Sequence, residues 1–225
     1  MASDSEVAPD DIDPLDGDAR LPAFFGDSWV AVSRFRELLV QEGVRRGLVG
    51  PREVGRLWER HLLNSAAAVP FLPAAGRIVD LGSGAGLPGI VVAAMLPDVE
   101  VVLLEPMERR TAWLLEVVDE LKLTNAVVTR GRAEDLHGHL HAQAVVVRAV
   151  GPLDRLYRWA LPLLDVGGVL IALKGARAGD EVVSAAKVGA RLGGGVAEVL
   201  AATTMDGVDA TAVVRVVREA VRSVR

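Results

Sequence analysis

The chain of 225 residues contains no cysteine and a single tyrosine, Tyr157. The first absence excludes disulfide bonds, thiolate nucleophiles and every zinc site that uses sulfur ligands. The Tyr-x-x-x-Lys pair of short-chain dehydrogenases is also missing, because Leu161 stands where the lysine is needed. Any chemistry in this protein must therefore proceed without these groups.

A long apolar segment is lacking as well. The longest uncharged stretch, residues 81–97, has 17 residues but includes four glycines and two prolines. A membrane-spanning helix needs roughly 20 predominantly apolar residues. The N-terminus is acidic, whereas a secretory signal begins with basic residues. These features predict a cytoplasmic protein that has no membrane partner.

The chain has no basic excess, since 30 acidic residues face 25 basic ones and the net charge is −5. Residues 1–27 hold eight acids and one base, which leaves +2 on the other 198 residues. This N-terminal segment is rich in Asp and Pro and poor in large apolar side chains, so we predict a disordered acidic tail. Arginine supplies 22 of the basic residues. This bias suits phosphate contacts and is equally typical of a GC-rich genome.

Two kinds of periodicity follow the tail. Residues 28–75 have helical spacing and predict a small N-terminal cap, whose second helix begins at Pro51. In residues 76–225 short apolar runs alternate with helical periods, which predicts a doubly wound α/β domain with a mostly parallel sheet. Its strands are expected at residues 77–81, 99–105, 126–129, 144–150, 166–173, 196–202 and 211–217. Its helices are expected at residues 88–96, 109–121, 153–163 and 181–192.

The sharpest local pattern is Asp80-Leu81-Gly82-Ser83-Gly84-Ala85-Gly86, between the first strand and the next helix. Glycines in such a turn let a ligand approach the backbone closely, and the free amides of the following helix face the same space. Glu105 ends the second strand, 19 residues after Gly86. A carboxylate at that position normally receives the two hydroxyls of an adenosine ribose.

Two cofactors compete for this loop. Residues 84–89 match the G-x-G-x-x-G expression of dinucleotide-binding folds, but Gly82 already begins the turn, so that register is late. An acid ahead of the first glycine, here Asp80, is typical of S-adenosylmethionine sites, because a carboxylate suits a cationic sulfonium and repels a pyrophosphate. We therefore favour S-adenosylmethionine. A nicotinamide-dependent oxidoreductase is the alternative enzyme, and an RNA-binding assembly factor without activity is the alternative outside enzymes.

Residues after the later strands extend the same site. Ala133 and Glu134 follow the third strand, where a backbone amide and a carboxylate could clasp an adenine. Arg148 ends the fourth strand and Lys174 the fifth, at the sheet edge where ligands bind in such folds. A lone arginine among apolar strand residues is unfavourable unless it is paired, which indicates a functional role for Arg148.

Motifs that the sequence lacks restrict which atom could accept a methyl group. Residues 148–152 lack the Asn/Asp-Pro-Pro-aromatic turn used to methylate amino groups of adenine or cytosine, and cytosine C5 chemistry needs a cysteine. What remains is an acceptor that is already nucleophilic, and guanine N7 is one. Its lone pair attacks directly and loses no proton, so catalysis would consist of alignment, desolvation and stabilisation of charge.

Two further clusters have competing interpretations. Arg52, Arg56 and Arg60 recur every four residues on the second predicted helix, followed by His61. They predict either a solvated helix face or a track for RNA phosphates. Histidines at positions 137, 139 and 141 alternate as metal ligands on a strand could, but Gly138 loosens that geometry. We predict a solvated loop there and no metal site.

Four segments resemble the glucose-inhibited division protein B family. They are Arg-His-Leu-Leu-Asn-Ser at residues 60–65, Val-Asp-Leu-Gly-Ser-Gly-Ala-Gly-Leu-Pro-Gly-Ile at 79–90, Val-Arg-Ala at 147–149 and Leu-Lys-Gly at 173–175. The resemblance extends over residues 29–218. Asn64 replaces the usual Asp of the family, and Gly47-Leu48-Val49 replaces its usual Asn-Leu-Thr.

The resemblance implies a seven-stranded, Rossmann-like class I S-adenosylmethionine-dependent methyltransferase that modifies guanine N7 in the 530 loop of 16S ribosomal RNA. The expected partner is 16S rRNA or the 30S subunit, and we expect a monomer. With the patterns above, it predicts cofactor contacts at Asp80, Gly82, Gly84, Gly86, Leu87, Glu105, Ala133, Glu134 and Arg148. Expected RNA contacts are Arg52, Arg56, Arg60, His61 and Lys174, and the expected catalytic residues are Arg148 and Lys174.

Overall fold

A seven-stranded sheet in the order β3-β2-β1-β4-β5-β7-β6 lies at the centre of the computed structural model, which describes residues 13–221. The strands are β1 (Gly76–Leu81), β2 (Val99–Glu105), β3 (Ala126–Arg130), β4 (Ala142–Arg148), β5 (Leu164–Lys174), β6 (Glu198–Ala202) and β7 (Thr211–Val217). The helices are α1 (Arg20–Phe25), α2 (Trp29–Glu42), α3 (Asn64–Ala66), α4 (Gly89–Met95), α5 (Glu108–Glu120), α6 (Leu153–Ala160) and α7 (Ala178–Arg191). No helix within residues 13–221 is long and apolar enough to cross a membrane.

The pairing of the strands places the ligand crevice. Strands β1 to β5 run parallel, and β7 lies antiparallel between β5 and β6. The cap, α4 and α5 cover one face of the sheet, while α6 and α7 cover the other. Strand order reverses between β1 and β4, and such folds bind ligands at the carboxyl ends of strands beside this reversal. The predicted fold class is confirmed.

The predicted disorder of residues 1–27 is wrong for residues 13–27, which form part of the cap. Asp13 Oδ2 accepts the amide of Trp58 at 2.8 Å, and Asp16 Oδ1 accepts its indole N–H at 2.9 Å. Leu21 and Phe25 are buried in the core. A few apolar side chains suffice to order this segment because they join an existing core instead of forming one. Residues 1–12, also predicted to be disordered, lie outside the described residues.

The predicted continuous helix after Pro51 is also wrong. A 3₁₀ segment (Pro51–Arg56) leads into a π-helix (Trp58–Leu63) and then α3. The amide of Trp58 donates to Asp13 instead of continuing the helical ladder, which accounts for the break. The three arginines therefore do not form one α-helical ridge, although Arg52, Arg56 and Arg60 are all exposed. Turns of the π type occur frequently at functional sites.

Candidate active site

The loop between β1 and α4 depends on three glycines with left-handed backbone. Their φ angles are +73° at Gly82, +57° at Gly84 and +101° at Gly86, which other residues adopt only with strain. The amides of Gly82 and Ser83 donate to the Leu104 carbonyl at 2.9 and 3.1 Å. These bonds fasten the loop to the end of β2 and fix the backbone that faces the crevice.

Asp80 supports this loop from behind. Its side chain is buried, Oδ2 accepts the Gly89 amide at 3.0 Å, and Oδ1 has no hydrogen-bond partner. A Cβ at position 89 would lie 2.4 Å from Oδ2, so glycine allows α4 to begin directly against the carboxylate. Burial raises the pKa of Asp80 to about 7. In this arrangement Asp80 can affect a ligand electrostatically and by holding the loop in place.

Glu105 organises the opposite side of the crevice. Its buried carboxylate accepts the amide of Gly84 on Oε2 and that of Met107 on Oε1, each at 2.9 Å. The Arg110 guanidinium lies 3.9 Å away. An ionised carboxylate has about four acceptor positions, so about two remain for a ligand. The two hydroxyls of a ribose match this capacity, which fits the predicted role of Glu105.

A cavity of about 530 Å³ opens at this edge of the sheet. Its volume falls within the range of roughly 300–1,000 Å³ that is usual for small-molecule sites. Seven of the predicted cofactor residues line it, namely Gly82, Gly84, Leu87, Glu105, Ala133, Glu134 and Arg148. Asp80 and Gly86 do not; a Cβ at Gly86 would lie 3.1 Å from the Phe35 ring, so this glycine allows the loop to pack on the cap.

Sequence analysis missed several residues of the lining. Trp159 on α6 donates its indole N–H to Glu134 Oε1 at 2.5 Å and forms a wall of the cavity, and Leu48 brings the cap to it. Ala149, beside Arg148, has a φ of +56°, a conformation that is strained for alanine and concentrated at functional sites. The helical pattern around Trp159 could have suggested a contact with the sheet edge, but no local pattern marked Leu48.

Arg148 connects the sheet to the cap. Its Nη1 donates to the Arg60 carbonyl and its Nη2 to His61 Nδ1, both at 3.0 Å. His61 Nε2 lies 2.9 Å from Glu53 Oε2. Burial lowers the pKa of Arg148 to about 10, against the opposing charges of Asp80 and Glu53. Arg148 therefore remains cationic near neutral pH, with two of its five N–H donors hydrogen-bonded to the cap.

The predicted RNA-contacting residues differ in accessibility. The exposed ones are Arg52, Arg56 and Arg60, and the last two line a second cavity of about 560 Å³ together with Lys174. Lys174 itself is only 9% exposed, and its Nζ donates to the Gly151 carbonyl at 2.7 Å and to Glu181 Oε2 at 2.8 Å. His61 is also largely enclosed. The side chains of Lys174 and His61 are thus already hydrogen-bonded to other protein atoms.

The three remaining histidines do not converge. His137 Nε2 lies 3.2 Å from the Trp159 carbonyl, and His141 Nδ1 lies 3.8 Å from Asp165. Among residues 13–221 no group of three His, Cys, Asp or Glu side chains could hold a metal ion.

Comparisons with known proteins can be set beside this geometry. Residues 30–205 match the model of the family described as rRNA small subunit methyltransferase G. A relative from Beutenbergia cavernae, named ribosomal RNA small subunit methyltransferase G, is 56% identical over 72% of this chain and 76% of its own length. A protein of the same name from Kineococcus radiotolerans is 48% identical over 91% of this chain and 80% of its own.

The solved structures bear on the fold alone. A putative O-methyltransferase from Klebsiella pneumoniae has a TM-score of 0.57 at 18% identity, covering 84% of this chain and 90% of its own. A precorrin-6y C5,15-methyltransferase from Geobacter metallireducens has a TM-score of 0.53 at 15% identity, over 76% and 91% of the two chains.

Proposed function

Because the chain belongs to the rRNA small subunit methyltransferase G family, we propose that it methylates N7 of a guanine in the 530 loop of 16S rRNA. It is an S-adenosylmethionine-dependent rRNA methyltransferase, which removes the nicotinamide-dependent and non-catalytic alternatives. The observation that carries the choice of N7 is the chemistry of the cavity wall. Among the described residues, no cysteine, histidine, lysine or tyrosine lines it, and the Ser83 hydroxyl donates to the Asp80 carbonyl at 3.0 Å. Its two carboxylates already accept hydrogen bonds, Glu105 from backbone amides and Glu134 from the Trp159 indole.

The chain offers groups that match each part of S-adenosylmethionine. The spare acceptor positions of Glu105 suit the ribose hydroxyls, and the glycine loop suits the methionine part. Ala133 and Glu134, beside the indole of Trp159, suit the adenine. When bound, the cofactor supplies an electrophilic methyl group on a sulfonium. The carboxyl group of Asp80 lies behind the loop that would face this cation, and its ionised form would place negative charge there.

Guanine N7 needs little chemistry from the protein. Its lone pair attacks without losing a proton, so no general base is required, and the rate depends on alignment and on exclusion of water. Arg148 lies in the cavity wall with its guanidinium held by the cap. We assign it to orienting the base or the carboxylate of the cofactor. Lys174 holds the Gly151 carbonyl, and its proposed catalytic effect is therefore to position the turn that follows Arg148.

The proposed partner is the assembled 30S subunit. The protein is proposed to bind it as a monomer in the cytoplasm. Arg52, Arg56 and Arg60 are exposed on the cap and free to approach phosphates, while neighbouring Glu53 and Glu59 partly balance their charge. A surface with so little net positive charge gives weak, salt-sensitive binding to free RNA. The shape of the assembled subunit must then supply most of the recognition.

Mapping of the modified nucleotide tests the proposal. Unmethylated 30S subunits and naked 16S rRNA are incubated with the protein and S-adenosylmethionine, then treated with borohydride and aniline, which cleave at N7-methylguanine. We expect one new cleavage site, in the 530 loop, and a higher yield from the subunits. Methyl incorporation without aniline cleavage would refute N7, and cleavage outside the loop would refute the assigned position. Equal yield from naked RNA would refute the choice of partner.

A further inference from the structure

The end of β4 and the cap are joined by a chain of three side chains, Arg148, His61 and Glu53. The guanidinium of Arg148 donates to His61 Nδ1 at 3.0 Å, and His61 Nε2 lies 2.9 Å from Glu53 Oε2. Arg148 lines the cofactor cavity, whereas His61 and Glu53 lie behind it in the π-helical and 3₁₀ segments. The imidazole therefore stands between the cavity wall and the exposed face of the cap.

The hydrogen-bond donors among these three side chains determine which ring nitrogen of His61 carries the proton. A guanidinium can only donate, so Nδ1 of His61 must be the unprotonated acceptor. The proton of the neutral ring then lies on Nε2, from which it is donated to the carboxylate of Glu53. The imidazolium ion loses the bond from Arg148, and the Nδ1–H tautomer loses both hydrogen bonds.

The charges around His61 favour this neutral state. Burial lowers the pKa of His61, the Arg148 cation lowers it further, and the hydrogen bond to Glu53 opposes both. Arg60 adds positive charge nearby, and Asp80 faces Arg148 from the sheet side. Protonation would remove the acceptor for Arg148 and place a second cation at hydrogen-bond distance from it.

We propose that His61 is a positioning residue, whose neutral Nε2–H tautomer, set by Arg148 and hydrogen-bonded to Glu53, holds the Arg148 guanidinium in the wall of the cofactor cavity. The proposal rests on the proposed function, since it gives Arg148 its role in methyl transfer. Without His61, the Arg60 carbonyl is the one hydrogen-bond acceptor left to the guanidinium within residues 13–221, and the group can turn about that single bond. Ala149, the next residue, has a left-handed backbone, so the paired part of β4 ends at Arg148.

The tautomer is tested on the full chain by NMR, using correlations between imidazole protons and ring nitrogens of ¹⁵N-labelled protein. Near neutral pH the signals that disappear in His61→Asn are expected to show an unprotonated Nδ1 and a protonated Nε2. In Glu53→Gln the amide oxygen can still accept from Nε2–H and Arg148 still donates to Nδ1, so we expect the same tautomer. In Glu53→Ala, which removes this acceptor, we expect the ring signals of His61 to shift. An imidazolium ion, or a proton on Nδ1, in the unmodified protein overturns the proposal. Ring signals in Glu53→Ala that match those of the unmodified protein overturn the part assigned to Glu53.

Single-turnover methylation of 30S subunits at saturating cofactor gives a second readout. A misplaced reacting group lowers rates by up to about 100-fold, so His61→Ala is expected to be slower by on the order of 10-fold to 100-fold. The unmodified protein should also lose activity as the pH falls and His61 becomes protonated. In His61→Asn the side-chain Oδ1 can replace Nδ1 as acceptor, so much of the rate is expected to return, and the acid decline should shrink to the part that protonation of Asp80 causes.

His139, which is exposed, provides the matched control, and His139→Asn should retain the unmodified rate and pH profile. Thermal unfolding of each variant shows whether a loss of rate merely reflects a loss of fold. A fully active His61→Ala, or an acid decline in His61→Asn as large as that of the unmodified protein, overturns the proposal. If the unmodified protein does not methylate the subunits, the proposed function fails, whereas the NMR result still decides the arrangement of His61.

Discussion

Asp80→Asn separates the charge of the buried carboxylate from its shape. Burial raises the pKa of Asp80 from 3.8 to about 7, whereas in the unfolded chain this group titrates near its ordinary value. The folded state therefore binds a proton between these two pH values and the unfolded state does not. The contribution of Asp80 to stability is thus largest at low pH and is lost as the pH rises through 7. Asparagine has nearly the same shape and does not titrate.

The size of the effect follows from linkage. For a pKa of about 7 in the folded state and 3.8 in the unfolded state, Asp80 makes the protein roughly 3 kcal/mol less stable at pH 8 than at pH 5. Asparagine leaves an amide group near the position of the unpaired Oδ1, which can cost about 1–3 kcal/mol. That penalty is the same at both pH values. The free energy of unfolding of Asp80→Asn minus that of the unmodified protein should therefore be larger at pH 8 than at pH 5, by roughly 3 kcal/mol.

Urea unfolding of both proteins at the two pH values measures this difference. The comparison cancels the titration of other groups, including His61, whose lowered pKa changes stability in the opposite direction. Asp98→Asn, at an exposed position in the turn before β2, is the control and should show no such difference. An equal effect of Asp80→Asn at pH 5 and pH 8 would refute the conclusion that folding favours a protonated Asp80.

Other consequences concern the ribose site, the loop and the N-terminus. Glu105→Gln should weaken S-adenosylmethionine binding by on the order of 10-fold or more in calorimetry, because hydrogen bonds to a charged group are lost, whereas Glu100→Gln on the exposed side of β2 should not. Gly89→Ala should lower the free energy of unfolding by about 1–3 kcal/mol in urea, because its Cβ meets Asp80 and Leu103 at 2.4 Å. Gly179→Ala on α7, where nothing lies within 4 Å, should not destabilise. Deleting residues 1–27 should lower the free energy of unfolding by at least about 3 kcal/mol, because it removes Leu21 and Phe25; an unchanged melting temperature would count against the corrected cap boundary.

The sequence by itself determined the sheet domain and many of the residues that line the crevice at its edge. Apolar runs at residues 99–105 and 211–217 predicted strands with the bounds that β2 and β7 have in the structure. The three glycines before α4 and the acid at the end of β2 predicted a crevice, and these residues are brought together there. Such features could be predicted because strand periodicity, turn chemistry and the carboxyl ends of parallel strands are all encoded in short, contiguous segments.

Only the tertiary structure decided how the cap is built and what it does to the site. Asp13 captures the amide of Trp58, 45 residues away, and thereby ends a helix that local spacing predicted to continue. His61 meets Arg148 across 87 residues, so neither its tautomer nor its lowered pKa could be inferred from its neighbours in sequence. Hydrogen bonds and desolvation act between groups that packing brings together. The sequence around Gly84 indicates which kind of ligand the site would bind. Contacts made over long sequence separations determine the side-chain positions and the pKa values of Arg148 and Asp80.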